Sequence, residues 1–170
     1  LGDEWPRDFL QHSVPRIYVP TSAPLDLVDD AQNWSPFGHG NVYLALWTSG
    51  LLQRLLQHGI RWAFVSNIDN LGATVEPAIL GYLEQAGFEF AMEVTDKTLA
   101  DIKGGTLVRA GGRLTLLERA QVEEAHLPDF EDVQAFSVFN ANTLWFRLDA
   151  VRRRLEQGQL NLPMIVNAKK

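Results

Sequence analysis

Residues 61–66 (RWAFVS) make a short apolar run of strand length that stops in the polar cluster Asn67-Ile68-Asp69-Asn70, and a helical stripe and a second strand follow it. That strand–helix–strand order restricts the chain more than any other feature, because each element must bury its apolar side on another layer. Thr74 can cap the helix, Pro77 suits its first turn, Ile79, Leu80 and Leu83 supply the buried stripe, and Gly87 ends it. Phe88, Phe90, Met92 and Val94 then alternate with Glu89, Ala91, Glu93 and Thr95, the pattern of a half-buried strand. Residues 106–110 and 113–117, joined by Gly111-Gly112, read as a β-hairpin. Residues 135–140 read as a strand, residues 144–155 as a helix capped by Asn142 or Thr143, and residues 164–166 as a last strand. The expected architecture is a layered α/β fold with a mixed, mostly parallel sheet, helices on both faces and one inserted β-hairpin.

Upstream, residues 15–20 (PRIYVP) form an extended edge, since neither proline can donate to a ladder. Residues 21–40 lack apolar periodicity, a length of loop that in a compact domain usually serves function. Helical spacing resumes at Val42, Leu46 and Trp47 and continues through Leu51, Leu52, Leu55 and Leu56, with a kink at Gly50 and a stop at Gly59. No internal repeat or linker divides the chain, so one domain is expected.

Composition narrows the possible functions. With 170 residues, 46% of them hydrophobic, the chain can bury one sizeable core. A net charge of -6 without a basic face argues against nucleic-acid and anionic-membrane partners, and no apolar run is long enough to span a bilayer. The lack of cysteine excludes disulfides and thiolate metal sites and fits the reducing cytoplasm. Leu1-Gly2-Asp3-Glu4-Trp5 resembles neither a start nor a signal peptide, so an upstream segment is expected. A small anionic ligand would need local cations, a metal ion or backbone N–H groups to offset the acidic balance.

The P-loop, GxSxG, HExxH and EF-hand patterns are all missing, and His12, His39, His58 and His126 are too scattered to define a metal site. What remains is a set of polar clusters at strand ends and turns. Pro36-Phe37-Gly38-His39-Gly40-Asn41 sets a histidine between glycines just before a helix, either an anion-binding loop or a tight turn with a surface histidine. Ser66-Asn67-Ile68-Asp69-Asn70 follows a buried strand, where α/β proteins bind ligands; Asp69 is a candidate Mg²⁺ ligand, and an Asx turn is the plainer alternative. Lys103-Gly104-Gly105 offers backbone and one cation, or a flexible turn. Glu118 and Gln121 could bind sugar hydroxyls, or be solvated surface. Asn140-Ala141-Asn142 combines a helix cap with possible ligand contact, and Asn167-Ala168-Lys169 ends in an exposed lysine. Arg152-Arg153-Arg154 reads as a solvated helix face.

In order, PFGHG (36–40), FVSNIDNLGA (64–73), EVTDKTLADIKGGTL (93–107), ERAQV (118–122), FNANTLW (139–145) and IVNAK (165–169) resemble the UTP–glucose-1-phosphate uridylyltransferases. The ordered set is far more specific than any one motif. The resemblance implies a Rossmann-like nucleotidyltransferase domain, with residues 1–170 its central and C-terminal part. It further implies that the upstream Gly-rich nucleotide loop and a C-terminal β-helix domain lie outside this sequence, so that the isolated chain turns over slowly or not at all. The implied reaction is UTP plus glucose 1-phosphate giving UDP-glucose and pyrophosphate with Mg²⁺, by in-line attack on the α-phosphorus without a covalent intermediate.

Carried over by motif, Gln11 and Gly38 contact uracil and His39 the sugar phosphate. Asp69 serves Mg²⁺ and phosphate, and Lys169 pairs with the nucleotide phosphates. Asn67, Gly105, Glu118, Asn140 and Asn142 match the sugar-side residues. Phe37 replaces a family proline, and FNANTLW departs from the usual FNTNNLW at Ala141 and Thr143, which bears on sugar choice. A UDP-sugar or UDP-N-acetylhexosamine pyrophosphorylase is the alternative within the enzymes. A noncatalytic sugar-nucleotide-binding protein on the same scaffold is the alternative outside them.

Overall fold

A computed structural model describes residues 5–166, so the last three residues of the final motif, Lys169 among them, lie outside the described residues. Along the chain the elements are β1 (Ser13–Pro15), β2 (Trp34–Pro36), α1 (Val42–Thr48), α2 (Leu51–Gln57), β3 (Trp62–Val65) and α3 (Pro77–Ala86). There follow β4 (Phe90–Asp96), β5 (Thr106–Ala110), β6 (Arg113–Leu117), α4 (Leu127–Phe130), β7 (Val138–Arg147) and α5 (Leu148–Glu156). The described residues form two compact units: one comprises residues 5–61 and 148–162, and the other residues 62–147 and 163–166. No helix among the described residues is long and apolar enough to cross a membrane.

In the first unit β1 and β2 pair antiparallel, Ser13 opposite Pro36, and the intervening loop is pinned by an Ile17–Pro24 bridge. The helical stripe breaks in two at Gly50, where φ is +75°, so the expected kink is a full interruption between α1 and α2. Ala45, Leu46 and Leu52 are buried here together with Leu148, Ala150 and Val151 of α5, which forms the unit's core from both ends of its sequence. Tyr43 lies on α1, and burial pushes its hydroxyl pKa up.

The second unit is built around β7. The sheet order is β3-β7-β4, and both outer strands are antiparallel to β7, with Trp62 opposite Arg147 and Phe90 opposite Phe146. β3 and β4 therefore run parallel to one another, linked through α3, with β7 inserted between them. Trp145 and Phe146 are fully buried, and the Trp145 ring meets Phe64 edge-on with centroids 4.6 Å apart. Trp145 Nε1 donates to Glu93 Oε1 at 2.6 Å, and Trp62 Nε1 to Glu84 Oε1 at 2.5 Å, the latter fastening α3 to β3. The hairpin of β5 and β6 turns through Gly111-Gly112, both at positive φ (+56° and +78°), the pair of conformations a two-residue hairpin turn requires and glycine adopts without strain.

Four expectations are corrected. Among the described residues every strand pair is antiparallel, so the sheets are antiparallel and neither mixed nor mostly parallel. The strand–helix–strand order does join two parallel strands, but a third strand from far along the chain separates them. Residues 144–147 belong to β7, and the helix begins only at Leu148. In a central strand flanked on both edges, a continuous apolar run such as Leu144-Trp145-Phe146 carries no period that separates strand from helix. Asn142 and Thr143 consequently cap nothing. Glu76, not Thr74, caps α3, its carboxylate accepting from the Ala78 N–H at 3.2 Å with Pro77 in the first turn. Residues 164–166 form no strand.

Candidate functional site

The sequence-derived candidates fall into two groups, one in each unit. In the first unit Gly38 has φ +107°, a conformation that favours glycine, and it leads into a single 3₁₀ turn, His39–Asn41, that runs on into α1. The Gly38 carbonyl accepts from Gln11 Nε2 at 2.7 Å and from the Asn41 N–H at 3.0 Å. Asn41, only 3% exposed, accepts the His12 N–H at 2.9 Å, and its Oδ1 lies 3.0 Å from His12 Nδ1. The Phe37 N–H returns a bond to the His12 carbonyl at 3.0 Å. Residues 11 and 12 are thereby bound to the loop that carries His39, whose imidazole stands exposed at the turn. The arrangement fixes Gln11 beside Gly38 while leaving the imidazole free to meet a ligand.

In the second unit three separate segments, those of Asn67, Gly105 and Glu118, converge on the N-terminal half of β7. Asn142 has φ +53°, unusual for a residue with a side chain, at the point where the register between β4 and β7 shifts by a bulge after Glu93. This turn of the backbone lets its N–H donate to Asn140 Oδ1 at 2.9 Å and its Nδ2 donate to Asn67 Oδ1 at 2.6 Å. The Asn140 N–H in turn donates to the Gly105 carbonyl at 2.9 Å. Gly105 is buried under the Glu118 carboxylate: a methyl group there would lie 2.5 Å from Glu118 Oε1. Asn67, Gly105, Glu118, Asn140 and Asn142 thus share one locality. Gln121 does not offer its amide oxygen there, because that atom accepts the Glu118 N–H at 2.9 Å. The cluster combines amides, which donate and accept, with a carboxylate, which accepts, the chemistry that binds sugar hydroxyls.

Asp69 sits in the turn that follows β3, exposed and with no hydrogen bond to its carboxylate among the described residues. No group of three or more His, Asp or Glu side chains among the described residues could hold a metal ion alone. Mg²⁺ usually takes one or two carboxylates and completes its shell with water and substrate phosphates, a mode with which a lone, accessible aspartate is compatible. The Asx turn offered as the alternative for Asp69 is not made by that residue; its neighbour makes one, Asn70 Oδ1 accepting the Gly72 N–H at 3.2 Å. Sequence reasoning placed Asn70 in the polar cluster and Thr143 as a helix cap and a family departure, but missed the Asn70 Nδ2 to Thr143 Oγ1 bond of 3.3 Å that links them, and missed Glu93, the partner of the Trp145 indole. The signal for Asn70 was its place one residue after Asp69 in a strand-end turn, and for Thr143 its departure from the family motif; nothing local marks Glu93.

A family model for the UTP–glucose-1-phosphate uridylyltransferases matches residues 4–170. The chain belongs to this family. It is 43% identical to the UTP–glucose-1-phosphate uridylyltransferase of Saccharomyces cerevisiae over 165 residues, 96% of the chain but 33% of that protein. It is 44% identical to the Pyrus pyrifolia enzyme of the same name, over 95% of the chain and 35% of the relative. Among solved structures, UDP-glucose phosphorylase from Trypanosoma brucei superposes with a TM-score of 0.86 at 34% identity, covering 89% of this chain and 34% of that one. A mutant UDP-glucose pyrophosphorylase from Leishmania major in complex with UDP-glucose gives a TM-score of 0.78 at 39% identity, over 88% of this chain and 34% of that one. This family member therefore spans about a third of the length of the curated relatives it matches.

Proposed function

We propose that this chain is part of an enzyme that transfers a uridylyl group from UTP to glucose 1-phosphate, giving UDP-glucose and pyrophosphate. The observation that carries the reading is the convergence of Asn67, Gly105 and Glu118, from three separate segments, on Asn140 and Asn142 in one half of β7. Their carboxylate and amide groups receive the glucose hydroxyls. Gln11 and the Gly38 backbone face the uracil, and His39 donates to the sugar phosphate. A phosphate oxygen of glucose 1-phosphate attacks the α-phosphorus of UTP as the bond to pyrophosphate breaks on the opposite side, so no residue becomes covalently attached. What the protein supplies is position: hydroxyls held by the cluster fix the attacking phosphate, which removes much of the entropic barrier.

Mg²⁺ held by Asp69 would neutralise phosphate charge, and Lys169 would add a cation on the nucleotide side, meeting the need of an acidic chain for local positive charge. The split unit of β3, α3 and β4 supports a Rossmann-like assignment for the whole sheet, with ligands at the ends of parallel strands.

The test is calorimetric titration of the chain with UDP-glucose and Mg²⁺, with His39→Ala alongside and UDP-N-acetylglucosamine as competitor. Binding of UDP-glucose that weakens in His39→Ala is the expected result. Preference for the N-acetylamino sugar would transfer the assignment to the hexosamine enzymes, and no response to either nucleotide would remove it.

A further inference from the structure

The turn that carries Asp69 has an unusual attachment to the fold. Its two large apolar side chains point away from the protein, Ile68 at 100% and Leu71 at 93% relative exposure, so hydrophobic burial does not locate it. What locates it is hydrogen bonding through Asn70, which uses every polar atom it has. The Asn70 N–H donates to the Asn67 carbonyl at 3.1 Å, and its own carbonyl accepts the Ala73 N–H at 3.1 Å. Its Oδ1 accepts the Gly72 N–H at 3.2 Å, and its Nδ2 donates to Thr143 Oγ1 at 3.3 Å. The first three bonds shape the turn; only the fourth ties it to the sheet.

Thr143 is 1% exposed in the central strand, and its β-branched side chain has little χ1 freedom, so its hydroxyl is a fixed anchor. A second tether, Asn142 Nδ2 to Asn67 Oδ1, holds the other end of the turn to the neighbouring residue of the same strand. Asp69 lies between the two tethered positions.

We infer that Asn70 and Thr143 are positioning residues that hold the backbone carrying Asp69 at a fixed place relative to the sugar-side asparagines, by tying the turn after β3 to β7. The inference rests on the proposed role of Asp69 as a divalent-cation ligand and goes beyond it by assigning that role's geometry to two residues that touch neither metal nor substrate. Orienting partners of metal ligands commonly alter metal affinity about 10- to 100-fold when removed.

The test uses the ¹⁵N-labelled chain with UDP-glucose present and Mn²⁺ as a paramagnetic stand-in for Mg²⁺. Thr143→Val keeps shape and removes the acceptor, Thr143→Ser keeps the acceptor, and Asn70→Ala removes the tether from the solvent side without disturbing the buried strand. In the wild type and Thr143→Ser, Mn²⁺ should broaden the amides of residues 67–73 at the same low concentrations. In Thr143→Val and Asn70→Ala the concentration needed should rise about tenfold, and the Gly72 amide should exchange faster, while the strand amides of β7 keep their protection. Equal Mn²⁺ titrations in all four proteins would overturn the positioning role and leave Asp69 as a metal ligand. No broadening at residues 67–73 in the wild type would overturn the metal role and this inference with it. Should Thr143→Val fail to fold, Asn70→Ala decides the matter alone.

Discussion

Gly105→Ala separates binding geometry from stability at the sugar-side cluster. The added methyl would lie 2.5 Å from Glu118 Oε1, 2.9 Å from its Cδ and 3.0 Å from Oε2. Ordinary contacts between such atoms begin near 3.5 Å, so the carboxylate must retreat by roughly 1 Å. Because it is the end of a flexible, half-buried side chain, the retreat should cost only about 1 kcal/mol of stability, the low end for overpacking, or roughly 2–4 °C in Tm. Binding should suffer more. Losing one charge-assisted hydrogen bond to a sugar hydroxyl costs about 1.5–3 kcal/mol, so the UDP-glucose Kd should rise at least about tenfold. Calorimetry gives the affinity and thermal unfolding the stability. A double-mutant cycle with Glu118→Ala checks the mechanism: if the methyl acts by displacing the carboxylate, Gly105→Ala should change affinity hardly at all once Glu118 is gone. Wild-type affinity in Gly105→Ala, or full additivity with Glu118→Ala, would refute the reasoning.

Two further outcomes follow from the same loop. Gly104→Ala should be the more destabilising of the adjacent glycine substitutions, because its methyl would overlap the Phe139 ring, reaching Cε2 and standing 2.5 Å from Cδ2. A loss of about 2–3 kcal/mol in urea unfolding is expected, and a change under 0.5 kcal/mol would contradict the packing argument. At Asp101 the Thr98 hydroxyl and the Thr98 N–H both donate to Oδ2, at 2.6 and 3.0 Å, and with a smaller contribution from the Lys97 charge they hold its pKa below the ordinary carboxylate range. A depressed folded-state pKa means the turn is supported fully above the ordinary carboxylate pKa and loses that support as pH falls through the lowered one. The ¹³C titration midpoint of Asp101 should therefore lie below the usual aspartate value and move up in Thr98→Val; an unmoved midpoint would assign the shift elsewhere.

Local signals read well wherever the chain folds on its neighbours. The Gly111-Gly112 hairpin, the stop at Gly87 and the break at Gly50 were all legible, because turn and cap chemistry is encoded within a few residues. β7 was half misread for the opposite reason. Leu144, Trp145 and Phe146 are apolar because β3 and β4 lie on either side of them, a fact set by residues far away in sequence. Asn142 resembled a helix cap for the same cause: its positive φ comes from a bulge in the pairing with β4, which leaves no mark in the local sequence. The site shows the same division. Motif order named Asn67, Gly105, Glu118, Asn140 and Asn142, yet the bonds that join them, and the Asn70–Thr143 tether, depend on register across the sheet.

The insertion of β7 between β3 and β4 also sets an order of events for a chain being synthesised. Among the described residues β3 and β4 hydrogen-bond as strands only to β7, and β7 is the last strand of its unit to be made. Until Arg147 has emerged, Trp62 has no strand partner, and the two outer strands wait as unpaired edges with α3 between them. The second unit cannot close piecemeal from its N-terminus; its sheet forms when the central strand arrives, a non-local step that is intrinsically slow. The nascent chain therefore leaves the edges of β3 and β4 open to other chains during that interval.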